Sequence, residues 1–181
     1  MEDFLKALKQ HWLANDIPNI TEENAAFIRK ILKEKKVKKL LEIGTANGYS
    51  SITFMQEMQE FDWHITTIDF SKKSFDEAKE NFEKAWVQDA ITPLFWNALD
   101  ILPQINEEFD FIFIDGMKRR TKDFLELTWN KLKNGWTIII DDVIKFKDKM
   151  IWLYEYLEEN NIEYEIIQID ADDGIMIIEK D

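Results

Sequence analysis

Apolar residues return along this chain in two alternating rhythms. At 3–14, Phe4, Leu5, Leu8 and Trp12 form one helical stripe, and Pro18 breaks the segment. Thr21-Glu22-Glu23-Asn24 then reads as a capped helix start, with Ala25, Ile28, Ile31 and Leu32 on the buried face. Short apolar runs with strand character follow at 37–43, 64–69, 91–95, 109–115 and 136–142. Helical patterns lie between them at about 48–60, 72–85, 99–105 and 119–133, and a further helix fits 147–160. The chain closes with two strand-like stretches, 162–169 and 174–179, joined by Asp170-Ala171-Asp172-Asp173. Strands alternating with helices predict an α/β fold, a mostly parallel seven-stranded Rossmann-like sheet with helices on both faces and an antiparallel C-terminal hairpin. The pattern reads as a single domain over 1–181, with N-terminal helices in 1–35 and the core in 36–181.

The richest stretch is 40–50, Leu-Leu-Glu-Ile-Gly-Thr-Ala-Asn-Gly-Tyr-Ser. An apolar run ends in Gly44, and Gly48 opens an amphipathic segment carrying Ile52, Met55 and Met58. This is a buried strand, a tight turn and a helix start, the place where an open α/β sheet binds its ligand. Ala46 and Ser50 interrupt the dinucleotide pattern G-x-G-x-x-G, which argues against a nucleotide-binding oxidoreductase.

Two further apolar strands end in acids. Phe111-Ile112-Phe113-Ile114 runs into Asp115, and Thr137-Ile138-Ile139-Ile140 into Asp141-Asp142. The carboxyl ends of neighbouring parallel strands sit side by side, so the three acids are placed to converge. Taken singly, each is as readily a helix cap or a solvated loop residue. Together they form a set of hard oxygen donors suited to Mg²⁺, Ca²⁺ or Mn²⁺ rather than zinc.

The run Glu-Ile-Gly-Thr-Ala-x-Gly-Tyr-Ser resembles the first motif of class I S-adenosylmethionine-dependent methyltransferases. It is most similar to the metal-dependent O-methyltransferases, the group with catechol, caffeoyl-CoA and bacterial tRNA-hydroxyuridine members. The resemblance covers nearly the whole chain. It implies the seven-stranded methyltransferase sheet, S-adenosyl-L-methionine as cofactor and a divalent metal. Gly44 and Gly48 would let backbone approach the methionine portion. Asp69, ending the second strand, is placed for the ribose diol, and Asn97-Ala98 stands where the family has Asp-Ala at the adenine. An amide there can still hydrogen-bond the adenine amino group. Glu42, Thr45 and Ser50 line the site by the same resemblance, and Asp115 joins both cofactor and metal sets.

Asp115-Gly116-Met117-Lys118 matches the family's D-x-x-K motif, which makes Lys118 the catalytic lysine. Asp141-Asp142 replaces the usual Asp-Asn pair, keeping metal binding while changing the charge presented to the substrate. The implied reaction is metal-assisted transfer of a methyl group to a hydroxyl of a small catechol-like or vicinal-diol acceptor, with Lys118 as general base. Two alternatives stay open: a tRNA hydroxyuridine methyltransferase, and a cofactor-binding protein without catalysis. Longer family members carry more N-terminal helix and a longer insertion after the metal motif. Here Val143-Ile144-Lys145-Phe146 runs quickly into the next helix, which predicts a more open acceptor pocket. Family members are often dimers, so a homodimer is an expectation of the resemblance only.

Composition narrows the partners. A formal net charge of −13 argues against a broad nucleic-acid face, although Lys118, Arg119, Arg120 and Lys122 form a local basic patch. Lys33, Lys35, Lys36, Lys38 and Lys39 form a second, as expected near a helix C-terminus. There are no cysteines, which excludes disulfides, thiolate nucleophiles and cysteine zinc sites. No apolar run approaches the roughly 20 residues that span a bilayer, and the first residues lack a signal-peptide core. A cytoplasmic location is the expectation.

The chain has 7 Trp and 5 Gly, an unusual ratio. Trp86, Trp96 and Trp136 stand where the family has glycine; Trp63 and Trp152 are weaker cases. Either these are glycine codons read as tryptophan, or they are genuine packing aromatics. Under the first reading an indole at Trp96 would crowd the adenine slot.

Overall fold

The structure is a computed structural model that describes residues 1–58, 63–169 and 173–181. Two helices lead, α1 (Glu2–Ala14) and α2 (Glu22–Lys35). The core then runs β1 (Lys39–Ile43), α3 (Tyr49–Met58), β2 (His64–Asp69), α4 (Lys72–Lys84), β3 (Ile91–Phe95), α5 (Ala98–Ile101) and β4 (Phe109–Ile114). It continues through α6 (Thr121–Trp129), β5 (Leu132–Ile140), α7 (Ile151–Glu159), β6 (Glu165–Gln168) and β7 (Gly174–Lys180). Short 3₁₀ turns cover Leu102–Gln104, Lys118–Arg120 and Lys147–Lys149.

The seven strands form one sheet in the order β3-β2-β1-β4-β5-β7-β6. β1 to β5 pair in parallel, and β7 runs antiparallel to both β5 and β6. The expected sheet and hairpin are therefore present. The hairpin's connecting residues 170–172, and the end of the helical pattern at 59–60, lie outside the described residues.

The sheet is buried on both faces, and β4 shows how. All six of its residues are buried. Phe111 and Phe113 pack into one core with Ile28, Leu32, Ile52 and Phe54, while Ile112 and Ile114 pack into the other with Leu125, Ile138, Ile140 and Leu153. The period-2 alternation of the strand thus feeds both layers. Each such side chain contributes about 1.5–3 kcal/mol by leaving water.

Local chemistry sets the helix boundaries. Thr21 accepts from the Asn24 amide at 3.2 Å and starts α2; Ser71 accepts from the Ser74 amide at 3.2 Å and starts α4. Two expectations shift. The predicted helix at 99–105 is one α-turn followed by a 3₁₀ turn, because Pro103 has no N–H for a continuing helix. The strand expected from 136 begins at Leu132, which pairs with Phe109 before a register shift, and Gly135 takes a φ of +79° in that irregular stretch. Among the described residues no helix is long and apolar enough to cross a membrane.

Asp110 interrupts the apolar β4 with a buried acid. It accepts from the amides of Lys38 (2.9 Å) and Lys39 (3.0 Å) and from the Lys133 ammonium at 2.6 Å. Burial pushes its carboxyl up, but those donors outweigh it and hold it below its ordinary range. It therefore fastens the start of β1 to β4 and the bulged part of β5. Replacement by alanine should lower unfolding free energy by about 1–3 kcal/mol in urea titrations near neutral pH. A depressed carboxyl contributes above its unfolded pKa and loses that contribution as pH falls through the folded value, so the deficit should shrink in acid. An unchanged denaturation midpoint at neutral pH contradicts this role.

Candidate functional site

Strands β1, β2 and β4 end together, and one glycine turn ties their ends. The Gly44 amide donates to Ile68 O at 2.9 Å, and the Asp115 amide donates to Ile43 O at 2.9 Å. Gly44 has a φ of +107°, and a Cβ there would sit 2.5 Å from the Asp115 carbonyl oxygen. Its missing side chain is what lets β1 and β4 close at the top of the sheet. Gly48, at φ +85°, serves packing of another kind: a Cβ would meet the Phe82 ring at 2.6 Å, so the start of α3 lies directly on α4.

Above this closure lies a cleft of about 400 Å³, within the size range of small-molecule sites. Gly44, Ser50, Asp69, Asn97, Ala98, Asp115, Lys118 and Asp142 all line it, as the sequence reading expects. Glu42, Thr45 and Gly48 do not; they lie beneath and build its floor. Asp141 lines a second cavity, of about 390 Å³, which also contains Asp115 and Asp142.

Glu42 is fully buried, and its carboxylate takes hydrogen bonds from Ser50 (2.5 Å), Thr67 (2.5 Å) and Ser51. It is an internal clamp joining β1, β2 and α3. Burial raises its pKa to about 7, against the lowering effect of the three hydroxyls, with the nearby Asp115 charge adding to the rise.

Asp69 accepts from the amides of Thr45 (3.1 Å), Ala46 (2.9 Å) and Ser71 (2.7 Å). The glycine turn is thus folded around the end of β2. These bonds use three of roughly four acceptor positions on a carboxylate, leaving capacity for one hydroxyl. Asn97 caps α5 by accepting from the Leu99 amide at 3.1 Å. That uses one of the two lone pairs on its oxygen and leaves the NH₂ free to donate, so the amide retains both an acceptor and a donor position.

The charged corner is built on Lys118. Its ammonium lies 2.6 Å from Asp115 Oδ1 and 2.6 Å from Asp142 Oδ2, with 15% of the lysine side chain exposed. Burial alone would pull Lys118 down; the two carboxylates outweigh it and hold the lysine protonated, above its ordinary pKa. Its partners respond differently. Asp115, the more deeply buried, is pushed up by desolvation despite Lys118, whereas Asp142, more exposed, is held down by it. Asp141 is pushed well up by burial and by the charge of Asp115. With these two ion pairs in place the lysine is raised, whereas the general-base role that the resemblance implies requires a lowered pKa.

Asp141 is held by a residue the sequence reading placed only in a helix start. Asn24 Nδ2, on α2, donates to Asp141 Oδ1 at 2.9 Å, and both are buried. Asn24 Oδ1 is buried without a partner. The capping motif located the helix, but nothing in the local pattern reveals a contact 117 positions away. Among the described residues no three acids or histidines are grouped as a ready metal-ligand set. The three acids share a cavity, but Lys118 engages two and Asn24 the third. As donors they fit a hard divalent cation: all are oxygen, and all stand at adjacent strand ends.

Fold order, glycine turn and strand-end acids together define an α/β protein with a ligand cleft at the carboxyl edge of its sheet. The O-methyltransferase family model matches residues 1–180, and the chain belongs to that family. It is 27% identical over 131 residues to a catechol O-methyltransferase of Niastella koreensis, covering 70% of this chain and 59% of that protein. It is 26% identical over 135 residues to a catechol O-methyltransferase of Mycobacterium tuberculosis, covering 73% and 61%. The match thus spans about three fifths of these relatives' length. Among solved structures, an O-methyltransferase from Bacillus cereus in complex with SAH superposes with a TM-score of 0.88 at 25% identity, over 98% of this chain and 91% of that one.

The Glu42 clamp yields a pH prediction. A carboxyl raised from 4.5 to about 7 contributes stability in its neutral form, complete below about pH 4.5 and lost as pH rises through about 7. Glu42→Gln should flatten the stability profile across that window, by on the order of 3 kcal/mol at most. Denaturation midpoints between pH 5 and 8 measure it; a variant whose profile parallels the parent's contradicts the assignment.

Proposed function

We propose that this protein transfers a methyl group from S-adenosylmethionine to a hydroxyl of a small catechol-like or vicinal-diol acceptor, assisted by a divalent metal. The observation that carries the reading is the Lys118 ammonium, held between Asp115 and Asp142 on the wall of the cleft that the Gly44 turn floors. Family membership supports the reaction, and the Bacillus cereus relative is solved with SAH. S-adenosylmethionine supplies an electrophilic methyl group on a sulfonium. A divalent ion, Mg²⁺ before Ca²⁺ or Mn²⁺, held by Asp115, Asp141 and Asp142, would supply a Lewis acid that lowers the acceptor hydroxyl's pKa.

This chain's residues divide the remaining work. The turn at Gly44 and Ala46 offers backbone to the cofactor's methionine end, Asp69 its last acceptor position to a ribose hydroxyl, and Asn97 and Ala98 bound the base end. Lys118 governs the proton. As an ammonium paired to two carboxylates it cannot take one; Nζ would first have to release its own proton to solvent, which weaker pairing to either carboxylate would favour, and only the neutral amine could then receive the acceptor's proton.

Modification of a hydroxylated uridine in tRNA is the weaker reading. The family resemblance suggested it, and the basic patch that kept it open is largely paired in place: Arg120 with Asp123 at 3.0 Å and Lys122 with Glu126 at 2.6 Å.

Lys118→Met tests the proposal. Methyl transfer to catechol should fall about 10²–10⁴-fold with S-adenosylmethionine affinity retained, and chelation of divalent ions should suppress the parent's rate. A variant that turns over like the parent removes Lys118 from the chemistry. Catechol turnover that survives chelation removes the metal.

A further inference from the structure

Two tryptophans occupy positive-φ backbone, Trp86 in the left-handed well where glycine is commonest at a helix stop and Trp96 beyond that well. Trp86 follows α4, where its amide donates to Glu83 O at 3.1 Å and the next amide, Val87, donates to Phe82 O at 3.0 Å. That pair of bonds is the Schellman helix stop, with residue 86 in the left-handed position at φ +58°. Val87 and Phe82 bury against each other's neighbours as the motif requires, while the Trp86 side chain is 87% exposed. The indole therefore contributes little packing and sits on a backbone that disfavours any bulky residue.

Trp96 is the sharper case. Its φ is +155°, outside the left-handed well that lysine or asparagine can visit and in territory only glycine enters freely. Neighbouring bonds fix it there: the Trp96 amide donates to Asp69 O at 3.1 Å, and Asn97 immediately caps α5. Its ring is 58% exposed, touching Phe95 edge-on at the wall of the cleft. The left-handed helix ends elsewhere in the chain, such as Lys36 at φ +54°, show what an ordinary side chain tolerates; +155° is not among them.

Trp136 does not share this property. The positive φ in its turn falls on Gly135, at +79°, and Trp136 itself pairs with Lys180 in β5 and packs against both cores. Trp152 likewise lacks a positive φ. Backbone geometry thus separates the three family-glycine positions: Trp86 and Trp96 have a positive φ, and Trp136 does not.

We infer that residues 86 and 96 are glycine in the protein its own cell makes, their codon being one that cell reads as glycine, and that position 96 sets the width of the cleft beside Asn97. Glycine at 86 completes the helix stop without strain. Glycine at 96 removes an exposed indole from the cleft wall and lets the strand-to-helix turn adopt its φ freely.

The deciding experiment is peptide mass spectrometry on the protein isolated from its source organism. Glycine at both 86 and 96 supports the inference; tryptophan at either overturns it. A second measurement uses the tryptophan-containing chain. Trp86→Gly and Trp96→Gly should each raise the melting temperature, by about 2–4 °C, whereas Trp136→Gly should lower it by removing a packed ring. Melting no higher in both of the first two variants overturns the backbone argument.

Discussion

The site depends on one close approach. The Asp115 carbonyl lies where a side chain on Gly44 would be, and only because that side chain is missing can β1 and β4 end at the same height. Everything functional is referenced to that contact. Asp115 follows β4 directly, Lys118 stands three residues on, and the amides of Thr45 and Ala46 fold over to Asp69 at the end of β2. The floor beneath is kept rigid by Glu42, a buried acid whose three hydroxyl donors come from two other elements. A buried carboxylate of this kind is tolerable only because its partners are complete.

Charge in the upper half of the site is balanced rather than neutral. Three carboxylates are gathered at adjacent strand ends, and Lys118 offsets two of them. Removing the solvent from this group raises the cost of each uncompensated charge, so the two ion pairs of Lys118 are what keep Asp115 and Asp142 tolerable there.

Much of the fold was legible because its signals are local. Apolar runs ending in Asp115 and Asp141, the glycine turn after Ile43, and the cap at Thr21 each announce themselves within a few residues. Several of the cleft-lining residues, Ser50, Asn97, Ala98 and Lys118, were instead named through the family resemblance. What stayed hidden depends on distant partners. Asn24 meets Asp141 across the fold, Asp110 is read as one more strand residue until Lys133 and the Lys38 and Lys39 amides surround it, and Glu42 looks like a cofactor ligand until its hydroxyl partners are seen. Boundaries moved where backbone chemistry outranked periodicity, at Pro103 and at the bulge before Trp136. The direction of the Lys118 shift was also unreadable, because it depends on the placement of Asp142 relative to the ammonium.

The central claim is that the closed strand ends form a cofactor site. Calorimetric titration of S-adenosylmethionine into the folded protein, with and without Mg²⁺, tests it most directly. The account predicts saturable one-to-one binding in the micromolar range, lost in Gly44→Ala because the added Cβ forces β1 and β4 apart. Absence of binding by the parent, or binding that survives Gly44→Ala unchanged, would contradict it.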